Sequence, residues 1–354
     1  MNAEKNYPPM PEPRPFLGAL EAYVPGEQPR GGGWVKLNTN EFPYPAAPQV
    51  VEAIRREAAD TVRIYPDPTA TALREGLAAR NGVHPDQVLV GNGSDEILRL
   101  IAHAFLGPGR PLAMTLPTYT LYDVLAAQFG AETHVHKLID FERLPESLFA
   151  DKWAACFLAT PNAQIGTAFP IDQLERLAST GGLLVLDGAY IDFAPGYNPI
   201  EGLRDHPAVI HTRTFSKSFG LAGVRVGCAI GPKPLIAALH KLRDSYNVNR
   251  ISQAAALGAL EGAGYYAERC AEIIQSRRWL GQELSRRGFK VFESHGNFVF
   301  AARPDAPALY ERLKAKKILV RYFTHSGLEG GMRITIGTPE ENQALLTGID
   351  EIQS

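Results

Sequence analysis

Arg213-Thr214-Phe215-Ser216-Lys217-Ser218-Phe219-Gly220-Leu221-Ala222-Gly223-Val224-Arg225-Val226-Gly227 sets one lysine among hydroxyls and glycines, with an arginine eight positions on. Apolar runs that read as strands, Val209 to Phe215 and Arg225 to Ile230, flank it. A lysine in a semi-apolar turn loses its proton more easily than a solvated one. A neutral amine is what a carbonyl-attacking nucleophile requires. A surface lysine in an ordinary turn fits the same residues, so the surrounding chain has to decide.

Outward from that stretch, short apolar runs alternate with helical patterns. Gln87 to Val90, Pro111 to Leu116, Glu132 to Lys137, Trp153 to Thr160 and Leu183 to Asp187 read as strands. Helices are expected at Pro48 to Thr61, Ala70 to Asn81, Asp95 to Leu106, Leu121 to Phe129 and Ile171 to Ser179, where apolar residues recur at helical spacing. This texture predicts an α/β fold with a mainly parallel sheet covered on both faces. Ligands of such sheets collect at the carboxyl ends of the strands. After Ile230 come long helical patterns at 233–243, 252–261 and 265–287, then a mixed unit. Its strands are expected at 289–292, 298–302, 319–321 and 332–336, with helices at 306–316 and 339–352. The expected division is 1–37 as an N-terminal arm with part of a smaller α+β domain, 38–250 as the large domain, and 251–354 as the rest of the small one.

The chain has 354 residues, enough for a large core and a second lobe. Lys plus Arg total 36 against 38 Asp plus Glu, a balance that carries no electrostatic footprint for nucleic acid or an anionic membrane. A small-molecule partner is the expectation. Cys156, Cys228 and Cys270 are odd in number and widely spaced, which points to buried thiols in a reducing compartment rather than disulfides. The first residues are polar and proline-rich without the apolar core of a signal peptide, and no run approaches the roughly 18 apolar residues of a membrane span. A cytoplasmic location follows as the expectation.

Other segments bear on chemistry. Gly91-Asn92-Gly93-Ser94-Asp95-Glu96 closes a strand and opens a helix, where small residues and free amides suit a phosphate; a plain Ser94 cap is the simpler reading. Leu183 to Asp187 ends an apolar strand in a carboxylate, costly unless paired, with Tyr190 beside it. Tyr119 follows a strand and suits stacking on a flat ligand, or half-buried packing. Arg333 begins a strand in the second lobe with a fork that fits carboxylate or phosphate, or a surface ion pair. Gly262-Ala263-Gly264-Tyr265-Tyr266-Ala267 matches a dinucleotide fingerprint, but a helical run precedes it where a strand is needed, so it reads as a helix break. His134 and His136 share a strand face, but no acid or thiol at ligand spacing accompanies them, so no metal is expected.

In this order, the motifs resemble the fold-type-I aminotransferases that use pyridoxal 5'-phosphate, and within them the histidinol-phosphate aminotransferases. The resemblance runs from about Leu37 to Asn342 and rests most on Ser216-Lys217 through Gly227. It is supported by Leu37-Asn38-Thr39-Asn40-Glu41, Tyr65-Pro66-Asp67, Tyr246-Asn247-Val248-Asn249 and Arg333-Ile334-Thr335. It implies a seven-stranded-type sheet in the large domain and a homodimer with shared active sites. Lys217 would form the internal aldimine and carry the substrate's proton, Asp187 would pair with the pyridine nitrogen, and Tyr190 and Asn162 would bind the ring oxygen. Tyr119 would stack on the ring. Gly93, Ser94, Asp95, Thr214, Ser216 and Arg225 would surround the phosphate, and Tyr65 would reach the neighbouring subunit's cofactor. Arg333, with Asn40 and Arg321, would bind the substrates, L-histidinol phosphate and 2-oxoglutarate. Threonine-phosphate decarboxylases and aromatic aminotransferases share the fold and stay open as alternatives. The chain departs from the family at Pro161-Asn162-Ala163-Gln164-Ile165-Gly166, which lacks a proline and one asparagine of the usual loop, at Gly188, and at Ile64.

Overall fold

The computed structural model describes residues 12, 14–18, 20–324 and 327–353. Much of the first part of the expected arm, 1–11 with 13 and 19, lies outside them. In chain order the elements are β1 (Val35–Leu37), α1 (Pro48–Asp60), α2 (Thr71–Asn81), β2 (Val88–Gly91), α3 (Ser94–Phe105), β3 (Leu112–Leu116), α4 (Leu121–Gln128), β4 (Thr133–Lys137), α5 (Glu146–Ala150), β5 (Ala155–Ala159), α6 (Ile171–Ala178) and β6 (Leu183–Asp187). There follow α7 (Pro199–Leu203), β7 (Val209–Thr214), β8 (Gly227–Ile230), α8 (Lys233–His240), α9 (Arg250–Glu261), α10 (Ala263–Arg286), β9 (Lys290–Val291), β10 (Phe298–Ala302), α11 (Ala306–Ala315), β11 (Ile318–Tyr322), β12 (Gly331–Thr335) and α12 (Pro339–Gln353).

The seven-stranded sheet has the order β2-β8-β7-β6-β5-β3-β4. Its strands run parallel except β8, which is antiparallel to both neighbours. The continuous apolar runs of β5 and β6 have a direct cause. Ala155, Phe157, Leu183 and Val185 pack into one core with α3 and α4, while Cys156, Leu158, Leu184 and Leu186 pack into another with α6. Both faces of each strand are covered, so no polar alternation survives. Burying a side chain the size of Phe157 or Leu184 contributes roughly 1.5–3 kcal/mol.

A five-stranded sheet of order β1-β11-β12-β10-β9 forms the second layer system. Strand β1, which apolar patterning does not announce, pairs parallel with β11 from the other end of the chain. Helix α9 starts at Asn249, whose side-chain oxygen accepts from the Ser252 amide at 2.9 Å, an N-cap that leaves one fewer orphan donor. It lies with α1 and α2 in a core shared with β2, whereas α10 runs along β9 and β10.

The sequence expectation of a strand from Arg225 needs correction. Arg225 has φ of 58°, a left-handed conformation, and β8 begins only at Gly227. The residue turns its guanidinium back toward the start of α3 instead of joining the ladder. Two short helices, α5 and α7, also lie where no periodicity announces them.

Helix α9 approaches α1 closely at Gly258, where a Cβ would meet the Gln49 carbonyl oxygen at 2.7 Å and Val50 Cα at 3.0 Å. Gly258→Ala gains about 1 kcal/mol in helix propensity. Backbone cannot rotate away as a side chain would, so the overpacking cost of roughly 1–3 kcal/mol falls toward its upper end. A net loss of about 1–2 kcal/mol in urea unfolding is expected; an unchanged or raised midpoint contradicts the tight helix contact.

Candidate active site

A cavity of about 270 Å³ opens at the carboxyl edge of the seven-stranded sheet. It gathers Ser94 and Asp95 from the start of α3, Tyr119 before α4, Asp187 at the end of β6, Tyr190 just beyond, and Thr214, Ser216, Lys217 and Arg225 around the turn after β7. Arg321 and Arg333 reach it from the five-stranded sheet. Parallel strands make this convergence possible because their carboxyl ends share one edge.

Lys217 is held by its neighbours in sequence. Phe215 and Phe219 bracket it with rings 4.8 Å apart in the core, and the Gly220 amide closes the turn by donating to the Lys217 carbonyl at 3.1 Å. Gly220 has φ of 61°, and a Cβ there would meet Phe42 at 2.9 Å. The Lys217 amine donates to the Thr39 carbonyl at 2.9 Å. Burial pulls its pKa from 10.5 to about 8, helped by the Arg333 charge and opposed by Glu41 and Asp95.

Asp187 lies at the other end, 4% exposed, and no ion pair serves it among the described residues. The Tyr122 hydroxyl donates to Oδ2 at 2.7 Å and the Thr212 hydroxyl to Oδ1 at 3.1 Å. Burial raises the Asp187 pKa, and these hydrogen bonds oppose the rise. An ionised carboxylate here suits a cationic ligand group.

The other end offers anion donors. Gly93 caps α3 with φ of 81°, and no side chain among the described residues caps its first turn. This overturns the reading of Ser94 as a simple cap and leaves helix-start amides free for a ligand. Gly93 leaves no room for a Cβ, which would stand 2.5 Å from Arg225 Nη2. Arg225 donates to Ser216 Oγ and Asp95 Oδ2, each at 3.2 Å, and Tyr119 donates to Asp95 Oδ1 at the same distance. Asp95 thus orients both the arginine and the tyrosine.

Arg333 is not a surface ion pair. Its guanidinium donates to the Ala163 carbonyl at 2.7 Å and the Asn38 carbonyl at 3.1 Å, and its buried Nε has no partner among the described residues. Arg321 stands directly opposite it on the neighbouring strand. Like charges facing across a ladder are unfavourable. Neither arginine has an ion pair among the described residues, so an anion between them would relieve the repulsion.

Four expected site residues stand outside the cavity lining, Gly93 at the start of α3 among them. The Asn162 carboxamide is spent on backbone, donating to the Pro117 carbonyl at 2.9 Å and accepting from the amides of Gln164 and Ile165; Ala163 and Gln164 line the cavity instead. Asn40 is buried and donates to the Tyr190 hydroxyl at 3.0 Å, so it orients that tyrosine from behind. Tyr65 is 74% exposed, stacked on Tyr246 at a separate surface hollow. Sequence reading missed Tyr122, although its place three residues after Tyr119 on a helix start was a usable signal. It also missed the arm residues Tyr23, Pro25, Gly26 and Gln28, which line the cavity mouth and for which no periodicity gives a signal. The acid absent beside His134 and His136 is Asp151, one of whose oxygens lies 2.9 Å from both rings.

The family model described as aminotransferase class I and II matches residues 32–349. The chain belongs to that family. A histidinol-phosphate aminotransferase of Geobacter sulfurreducens is 41% identical over 346 residues, spanning 96% of this chain and 99% of that protein. Its namesake in Syntrophotalea carbinolica is 41% identical over 345 residues with the same coverage. The crystal structure of a histidinol-phosphate aminotransferase from Sinorhizobium meliloti, in complex with pyridoxal-5'-phosphate, matches with a TM-score of 0.88 and 29% identity over 96% of each chain. The protein is an aminotransferase of fold type I. The residues fit the family's pyridoxal 5'-phosphate: uncapped amides and Arg225 at one end would suit its phosphate, and Asp187 at the other would suit its ring nitrogen.

Two outcomes follow from these environments. Tyr122→Phe removes a donor from a buried carboxylate and is expected to weaken cofactor binding about tenfold in spectral titration, the effect of roughly 1–2 kcal/mol; unchanged affinity would show that the hydroxyl does not hold the charge. The Lys217 amine of the cofactor-free protein is expected to react with carbonyl reagents at a rate that rises with pH through about 8. Because the Arg333 charge depresses that pKa, Arg333→Met should move the midpoint upward, and a midpoint near 10.5 in the parent protein would contradict the burial argument.

Proposed function

We propose that this aminotransferase moves the amino group of L-histidinol phosphate to 2-oxoglutarate by a ping-pong route, giving imidazole acetol phosphate and L-glutamate in histidine biosynthesis. One observation carries the reading: a lysine amine of depressed pKa shares a cavity with an anion cradle and with a buried carboxylate and two arginines that form no ion pair among the described residues. The names of full-length relatives at 41% identity support the choice of substrate.

In this reading Ser94, Thr214, Ser216 and Arg225 hold the cofactor phosphate with the amides that start α3, Gly93 letting the backbone approach. Asp187 would keep the pyridine nitrogen protonated, Tyr119 would cover a ring face, and Tyr190, oriented by Asn40, would serve the ring oxygen. Bound there, pyridoxal 5'-phosphate supplies the electron sink that makes the substrate's α-proton removable. Lys217, whose amine loses its proton around pH 8 and donates to the Thr39 carbonyl, would be the base that takes this proton and returns it. Arg333 and Arg321 bind the phosphate of one substrate and the carboxylate of the other, since a guanidinium fork accommodates both anions.

The reading includes a homodimer with shared sites and a cytoplasmic location. Exposed Val62, Ile64 and Tyr65 beside Tyr246 form an apolar patch suited to a second copy. All three cysteines are free and buried, as in a reducing compartment. A division of the chain near residue 250 into cofactor lobe and smaller lobe is supported by the second sheet, whose strands come from 35–37 and 290–335.

Purified protein with cofactor is expected to consume histidinol phosphate and 2-oxoglutarate stoichiometrically, faster than phenylalanine and without releasing carbon dioxide from threonine phosphate. Lys217→Ala should abolish turnover and the borohydride-fixed cofactor label. Arg333→Lys keeps the charge but loses the fork, and kcat/KM should fall roughly tenfold to a hundredfold, as for loss of a charge-assisted hydrogen bond. Equal turnover of phenylalanine would discard the phosphate assignment.

A further inference from the structure

Behind the Lys217 turn, on the side away from the cavity, lies a carboxylate that no step above uses. Asp192 belongs to the short helical turn that follows Tyr190. Its Oδ2 accepts from the Ser218 hydroxyl at 2.5 Å and its Oδ1 from Arg213 Nη2 at 2.5 Å. Ser218 is the residue after Lys217 and is 2% exposed, while Arg213 lies near the end of β7. Asp192 faces a separate polar hollow with Arg80, Asn81, Asn198 and Arg204, so it touches neither cofactor nor substrate in the reading above.

These contacts join two segments that carry opposite ends of the site. The turn after β6 holds Asp187 and Tyr190, and its Gly188 amide is tied to the Thr212 carbonyl at 2.9 Å. The turn after β7 holds Lys217. Between Tyr190 and Ser218 the main chain offers no ladder, because β7 ends at Thr214. A charge-assisted bond from Ser218 is stronger and shorter than a neutral one, and the Arg213 guanidinium orients the acceptor from its other oxygen. The side chain of Lys217 has four rotatable carbons, so its amine is placed accurately only if its own Cα is.

We propose that Asp192, braced by Arg213, is a positioning residue that acts through Ser218 to set the reach of the Lys217 amine relative to Asp187 and Tyr190. The proposal rests on the assignment of Lys217 as the cofactor-linked lysine. Asp192 does no chemistry itself. Loss of its carboxylate lets the 216–218 backbone relax, and a misplacement on the order of 1 Å costs up to a hundredfold in rate.

The test compares parent enzyme, Ser218→Ala, Asp192→Asn, Arg213→Lys and the Ser218→Ala/Asp192→Asn pair, all as full chains. The first readout is the rate at which pyridoxal phosphate becomes covalently linked to cofactor-free protein, per borohydride-trappable site; the amine displaces the carbonyl oxygen as water. The second is kcat against KM for the substrate pair. Ser218→Ala and Asp192→Asn should each slow linkage and kcat about tenfold with KM within twofold, the double variant should be no slower than the worse single one, and Arg213→Lys should retain more activity than Asp192→Asn. Ser218→Ala removes one hydroxyl and provides the answer if Asp192→Asn does not fold. Folded variants with linkage rate and kcat within twofold of the parent overturn the proposal, as does a loss confined to thermal stability and the number of trappable sites. Failure of the parent to link at Lys217 refutes the assignment of that lysine instead.

Discussion

Asp187 is a carboxylate buried at the end of a parallel strand with no ion pair from the described chain, and much of the site follows from that constraint. An ion in such a place is costly unless hydrogen-bonded and matched with opposite charge. Tyr122 and Thr212 supply the hydrogen bonds, which explains why a fully buried tyrosine hydroxyl is tolerated in the core under the cavity. The opposite charge has to arrive with a ligand, and a protonated ring nitrogen meets that need.

The far end of the cavity reverses the sign. Helix α3 starts at a glycine with no side-chain cap, and Arg225 takes a left-handed conformation, unfavourable for a residue with a Cβ, to turn back toward that start. Arg321 and Arg333 face each other across a ladder although like charges repel there. Anions against the helix start and between the two facing arginines would offset the electrostatic part of these costs.

Three consecutive residues after β1 connect these regions. Asn38 accepts from Arg333 through its carbonyl, Thr39 accepts from Lys217, and Asn40 orients Tyr190 while its own carbonyl takes a bond from Asn297. The segment follows a strand of the five-stranded sheet and contacts the lysine, so the position of that sheet and the position of the lysine are not independent. The arm just before it brings Tyr23 and Gln28 to the cavity mouth.

The alternation of strands and helices, the two-faced burial of β5 and β6, and the lysine turn were legible in the sequence because period and composition are local properties. The motif order pointed to the family for the same reason: each motif is a short run whose backbone form is set by its own glycines and hydroxyls. What the tertiary structure alone decided depends on residues far apart along the chain. Asn40 meets Tyr190 across 150 positions and Arg333 meets Asn38 across 295, and no spacing rule announces either. Asn162 matched the motif, yet its carboxamide was claimed by nearby backbone groups. A residue type says which hydrogen bonds are available, and only the packed chain decides which partners take them.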